Sequence, residues 1–164
     1  MSDAQTWIEL LQLQRHPEGG FYREAFRSPI SLRGLSWLDP GSVRSASTAI
    51  YFLLPAGVFS AFHRVMGDEA WHHYDGDPVE LHTLDAAGHT VVRLGRDFAA
   101  GERPLHVVPG GTWQAALALG ERYSLCGCTV APGFEFADFT MPERRELVRA
   151  FPDHAALIES FTRR

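Results

Sequence analysis

Along residues 4–13 the apolar positions fall at Trp7, Ile8, Leu10, Leu11 and Leu13, a stripe of helical period that predicts a short helix opening from an Asp3 cap. His16-Pro17-Glu18-Gly19-Gly20 ends it, because proline and paired glycines break the helical path. From Phe21 onward the period falls to two. Short alternating runs predict strands near 21–27, 47–54, 58–65, 69–75, 79–84, 89–94, 105–108, 112–119, 122–130 and 134–139. Turn signals such as Leu54-Pro55-Ala56-Gly57, Asp85-Ala86-Ala87-Gly88 and Pro109-Gly110-Gly111 separate them. Residues 28–46, with Pro29, Gly34, Pro40 and Gly41, read as a surface excursion. Helical period returns after Pro142, through Glu143 to Ala150 and again from Asp153 to Phe161, giving a helical tail over 142–162. Many short strands without intervening helices predict an all-β fold, a closed sheet or a two-sheet sandwich over about 21–140.

Composition narrows the partners. At 164 residues and 18.3 kDa, with 45% hydrophobic and 21% charged residues, the chain has the length and make-up of one globular domain over 1–164. Its fifteen basic residues are all arginine and face twenty acidic ones, for a net charge of −5. An acidic chain lacks the surplus that neutralises phosphates, so no nucleic-acid partner is expected. Without lysine there is neither Schiff-base chemistry nor a P-loop. The longest apolar run, Ala49 to Leu54, is far short of a membrane span. The start of the chain, with Asp3 and Glu9, lacks a signal-peptide pattern, so a cytoplasmic location is expected. Cys126 and Cys128, two apart on one predicted strand, share a face at a separation too long for a relaxed disulfide and read as two reduced thiols.

A period of two also assigns faces. Phe59, Ala61, His63 and Val65 fall on one face of the 58–65 run; Glu69, Trp71 and His73 share one face of the next, opposite Ala70, His72 and Tyr74. Gln114 falls with Ala116 and Ala118, and two alanines beside an amide suggest a hollow. His63 and Glu69, six residues apart on neighbouring strands, place an imidazole and a carboxylate toward one interior. The plainer reading of the same pair is a structural histidine satisfied by a carboxylate.

Gly57-(five residues)-His63-Arg64-Val65-(three residues)-Glu69-(six residues)-Gly76 resembles the first cupin motif, and Val108-Pro109-Gly110-Gly111-Thr112-Trp113-Gln114 the second. HPEGGFYRE at 16–24, DEAWHHYDGDP at 68–78 and CTVAPGFEFADF at 128–139 are similar to one branch of the RmlC-like cupins, mostly of unassigned function. The resemblance runs from about residue 10 to 140. It implies a jelly-roll β-sandwich with a short N-terminal helix and C-terminal helices, paired as a homodimer through its N-terminal strands.

The cupin metal centre draws two histidines and a glutamate from the first motif and a third histidine from the second. The matching positions here are His63, Val65, Glu69 and Gln114. Valine ligates nothing, and an amide oxygen is a weak ligand for metals that favour imidazole. The resemblance therefore implies no cofactor, with a divalent metal on His63, Glu69 and Gln114 as a lesser alternative and His73 as a replacement ligand. The RmlC-like epimerases offer a metal-free template in which a histidine base is held by a carboxylate and a tyrosine is the acid. Carried over, His63 is the base, Glu69 its orienter and Tyr51 the acid, with Tyr22 and Tyr74 as other candidates.

The expected function is an internal pocket for a small organic ligand, carbohydrate-derived, with isomerase or epimerase-type proton transfer. Two alternatives stand beside it: a non-catalytic binder or sensor, and a metal-dependent enzyme with a degenerate centre. Gln114, Trp71, His73, Phe59, Arg64 and Tyr22 are the expected ligand-binding residues, with Trp71, Trp113, Phe59 and Phe62 as an aromatic platform. Arg44 and Arg64 are candidate anion binders at the mouth, against a plain reading as solvated surface arginines. Glu18 and Arg23 read as a rim ion pair at a subunit contact, His16 as part of a turn, and 132–136 as a structural bend closing one end of the barrel.

Overall fold

A computed structural model describes residues 3–163. The chain opens with α1 (Ala4–Leu10), where the Asp3 carboxylate accepts the Thr6 N–H at 2.8 Å and caps the first turn. The helix stops short of Leu13 because the backbone at Gln12 turns left-handed, at φ 52°. Strand β1 (Gln14–Arg15), which the sequence pattern did not announce, then joins the edge of a sheet. Next come β2 (Phe21–Arg27) and an exposed hairpin of β3 (Ser31–Arg33) with β4 (Val43–Ser45), where the surface excursion was expected. The rest of the sandwich is β5 (Thr48–Pro55), β6 (Phe59–His63), β7 (Asp68–Gly76), β8 (Val79–Asp85), β9 (Gly88–Leu94), β10 (Leu105–Val108), β11 (Trp113–Ala118) and β12 (Tyr123–Ala131). Helices α2 (Arg144–Ala150) and α3 (Ala155–Ser160) form the tail.

Two antiparallel sheets pack face to face, the expected jelly-roll sandwich. One has the order β1-β2-β5-β12-β7-β10 and the other β6-β11-β8-β9. Between them lies a dry layer of Leu54, Trp71, Val79, Leu81, Leu94 and Ala116, all nearly inaccessible. Each outer face has its own cover. Helix α1 rests with Trp7 and Ile8 on Leu53 and Tyr123 of the larger sheet, while Leu147, Ile158 and Phe161 of the tail cover Phe62, Leu84 and Ala115 of the smaller one. At roughly 1.5–3 kcal/mol for each large side chain buried, these layers supply most of the driving force.

Three expectations change. The segment 134–139 is not a strand but a turn with a 3₁₀ stretch at Phe136–Asp138. Its polar groups bond away from any ladder: the Gly133 and Phe134 N–H groups go to the Ser45 carbonyl and the Thr48 hydroxyl, and Asp138 takes both ends of Arg44 at 2.6 and 2.7 Å. The hollow expected beside Ala116 and Ala118 is filled, because Phe52, Trp71, Val79 and Leu81 pack into the space the methyl groups leave. Finally, β6 carries a bulge. Gln114 pairs with His63 and Ala116 with Ser60, so three steps on β6 oppose two on β11. The extra residue reverses the alternation, turning Ser60 and His63 inward and Phe59 and Phe62 outward onto the tail helices. Cys126 and Cys128 are free and buried on the inner face.

Candidate functional site

The hollow lies at the other end of the sandwich, under the strap 14–18 and the turn 134–139. It is a cavity of about 330 Å³ whose polar floor is His16, Glu18, His63 and Glu69. The strap reaches this floor because Gly19 and Gly20 have φ of 119° and 74° and lie against the Phe59 and Leu53 carbonyls, where a Cβ would collide. That close approach points Glu18 inward. It is 5% exposed, and Arg163 of the tail donates to its carbonyl at 2.9 Å from behind.

The His63 ring is fixed at both nitrogens. Nδ1 lies 2.8 Å from the Ala61 carbonyl, which only accepts, so Nδ1 carries the proton and Nε2 presents its lone pair. Glu18 Oε2 is 3.2 Å from that Nε2, and Glu18 Oε1 accepts from the Ser60 hydroxyl at 2.8 Å. Burial pushes the Glu18 carboxyl from its usual 4.5 up to about 8, against the Ser60 hydrogen bond and the charge of Arg163. Burial lowers His63, opposed by the Glu69 charge and the Ala61 carbonyl. The two shifts agree: burial favours the uncharged form of each group, with Glu18 Oε2 facing the His63 Nε2 lone pair. His16 accepts the Glu18 N–H at Nδ1, 3.3 Å away, and burial together with His63 pushes it down to about 3.

Glu69 is raised mainly by burial, with His63 opposing, and its Oε2 accepts the Gln114 amide at 2.5 Å. Gln114 in turn accepts the Trp71 indole N–H at 2.9 Å, so its amide is committed at both ends. The walls are the rings of Tyr22, Phe52, Phe134, Phe136 and Phe139. His16 meets Tyr22 edge-on at 4.5 Å between centroids, and His63 stacks on Phe139 at 5.6 Å. At the mouth Arg27 bonds Glu135 at 2.7 Å and Glu24 at 2.8 Å.

Of the residues named from sequence, His63, Glu69 and Tyr22 line this cavity. Tyr51 does not: it alternates with the inward Ile50 and Phe52 and packs outside, in the cluster with Leu53 and Tyr123 under α1. Gln114 and Trp71 stand behind Glu69 as positioning residues. His73 belongs to the packed end, its Nε2 3.0 Å from the Asp77 carbonyl. Phe59 is carried outward by the bulge onto Phe161, and the Arg64 guanidinium sits 4.5 Å over the Trp113 ring. Arg44 is held by Asp138. Of the expected platform, Trp113 and Phe62 also face the tail helices.

Sequence reasoning missed Glu18, His16 and the rings of Phe52, Phe134, Phe136 and Phe139. The rim pair is overturned: Glu18 is bound to Ser60 and His63, and Arg23 donates to the Leu11 carbonyl.

The metal set does not assemble. Val65 lines the cavity as hydrocarbon, the Gln114 amide is spent on Trp71 and Glu69, and the lone pair of His63 meets Glu18. Among the described residues no group of three or more His, Cys, Asp or Glu side chains is placed to hold a metal ion.

Residues 5–142 match the family model described as Cupin superfamily (DUF985). An uncharacterized protein of Saccharomyces cerevisiae is 31% identical over 150 residues, covering 85% of this chain and 75% of that one. A hypothetical protein from Leishmania major superposes with a TM-score of 0.91 at 32% identity, over 99% of this chain and 100% of that one. A Shewanella oneidensis protein gives 0.88 at 37% identity, over 99% of each chain. Oxalate decarboxylase from Bacillus subtilis, at 16% identity and a TM-score of 0.57 over 90% of this chain and 36% of that one, shares the fold.

Proposed function

The chain belongs to the cupin superfamily, and from that premise we propose that its cavity binds a small organic molecule and exchanges a proton with it, with Glu18 and His63 as the acid–base pair. One observation carries the reading: a carboxyl whose proton is held up to about pH 8 by burial lies 3.2 Å from the lone-pair nitrogen of an imidazole, at the floor of an aromatic-walled cavity. The chemistry such a pair supports is enolisation. His63 Nε2 takes the proton from a carbon next to a carbonyl while Glu18 gives its proton to the carbonyl oxygen. The enzyme then holds imidazolium beside carboxylate, and their contact stabilises both new charges. Returning the proton to the other face, or to the neighbouring carbon, completes an epimerisation or an isomerisation. Glu69, anchored by Gln114, tunes His63 through its charge, which replaces the orienting contact expected of it.

The test is incubation with aldoses, ketoses, sugar nucleotides and 2-oxo acids in deuterated water. The expected result is deuterium beside the carbonyl of at least one compound, lost in Glu18→Gln and in His63→Ala. A second reading, binding without turnover, is favoured by the mutual satisfaction of the pair: the Glu18 proton already has a partner. Saturable thermal shifts with these compounds and no exchange in any of them would establish it.

A further inference from the structure

The charges lining the cavity are unbalanced. Four carboxyls, Glu18, Glu24, Glu69 and Glu135, face one guanidinium, Arg27. Arg27 is not available to a ligand anion, since both of its sides are taken by Glu24 and Glu135 at the mouth. Deeper in, Glu18 and Glu69 are each more than nine-tenths buried, and the two imidazoles beside them offer no charge of their own near neutrality. Around these acids stand aromatic rings, and the π-system of such a ring attracts cations, more strongly once the cation is desolvated. An anion here meets two buried acids and no free cationic donor. A positive ligand meets counter-charges and aromatic rings together.

We propose that the cavity takes an organic cation, a protonated amine or a quaternary ammonium, seated against the rings of Tyr22, Phe52, Phe136 and Phe139 with Glu18 and Glu69 as its counter-charges. This rests on the reading of the cavity as a small-molecule site and narrows its ligand class; because a bound cation leaves Glu18 ionised and unable to serve as the acid, it goes with the second reading, binding without turnover. The proton balance is simple. The cation enters with its charge, the Glu18 carboxyl ionises beside it, and the Glu18 proton leaves to solvent. Around Glu18 the other titratable groups are His16, His63, Glu69, Cys128 and Arg163. The histidines are held uncharged near neutrality by burial and the thiol is raised well above its usual range, so the proton released is that of Glu18. Because Glu18 keeps its proton up to about pH 8, cation binding tightens as pH rises toward that value and levels off above it.

Calorimetric titration of the wild-type chain with choline, with its uncharged isostere in which carbon replaces nitrogen, and with benzoate tests this. Two buffers of different ionisation enthalpy count the protons released. The expected result near pH 9 is choline binding about tenfold or more tighter than the isostere, a difference of about 1.4 kcal/mol, with benzoate weakest. Near pH 6 about one proton is released per choline bound, and the advantage over the isostere shrinks. Glu18→Gln is expected to lose the pH dependence and most of the preference while keeping its affinity for the isostere. Equal affinity for choline and the isostere, or tighter binding of benzoate, overturns the cation assignment and leaves the small-molecule site standing. If none of the three probes binds while deuterium exchange persists, the cation assignment falls and the proton-transfer reading survives. If binding and exchange are both absent, both fall.

Discussion

The two ends of the sandwich interior are built from the same strands with different contents. On β5, Thr48, Ile50 and Phe52 face the cavity while Leu54 faces packed hydrocarbon; on β12, Val130 and Cys128 stand on the open side and Cys126 on the closed one. Phe52, Trp71 and Gln114 form the boundary between them. At the closed end Ala116 and Ala118 make room for Val79 and Leu81 from the neighbouring strand and for Trp71 across the layer, in one buried cluster. At the open end the β6 bulge turns His63 and Ser60 inward, and the strap adds Glu18 and His16. These polar groups satisfy one another without filling the space. Hydrophobic filling makes the closed end stable; the open end instead holds the buried acids and imidazoles on which the proposed proton transfer rests.

The largest effect that sharpens this contrast is on chemistry. Glu18→Gln and His63→Ala are each expected to lower deuterium exchange by about 10²–10⁴-fold while the melting temperature moves by only a few degrees. A collapse of the melting temperature in Glu18→Gln would make the open end a stability element like the closed one. Leu81→Ala, at the packed end, is expected to cost about 2–5 kcal/mol in urea unfolding, whereas Phe136→Ala, at a wall position that is 51% exposed, costs about 1 kcal/mol or less.

The pH dependence of stability separates the ends more finely. Glu18 binds its proton more tightly folded than unfolded, so stability declines as pH rises from about 4.5 to about 8. His16 binds its proton less tightly folded, so stability increases from about pH 3 to 6.5. Their opposition places the maximum between about pH 4.5 and 6.5, with the alkaline decline due to Glu18 and, in the same direction, Glu69. Glu18→Gln is expected to flatten that decline, whereas Leu81→Ala lowers the whole curve without changing its shape. The smallest effect belongs to the mouth: Arg27→Ala removes exposed ion pairs and changes stability by about 0–1 kcal/mol.

Sequence periodicity located the framework because each strand's alternation reflects a buried face, and nine of the ten predicted strands lie within a few residues of their observed positions. The exception, 134–139, alternates Phe134 and Phe136 as a strand would, yet its N–H groups have no neighbouring strand to bond. His63 and Glu69 were legible from their spacing. Glu18 was not, because His-Pro-Glu-Gly-Gly has the composition of a solvent-exposed turn. The available signal was the pair of glycines, which permits close approach to other backbone as well as a reversal. Phe59 was misplaced by a bulge that no alternation rule detects, since the extra residue shows only in the pairing with β11. Tyr51 was drawn in by analogy with a tyrosine acid; its position between Ile50 and Phe52 already placed it on the other face.

The central claim is that Glu18 enters the sandwich protonated and shares that proton with His63. Infrared difference spectroscopy of the wild-type chain against Glu18→Gln measures this directly through the C=O stretch of a protonated carboxyl. The predicted result is a band present at neutral pH, absent from the variant, and disappearing with a midpoint of about 8. A difference spectrum showing Glu18 ionised at neutral pH, with the ordinary midpoint of 4.5, would contradict it.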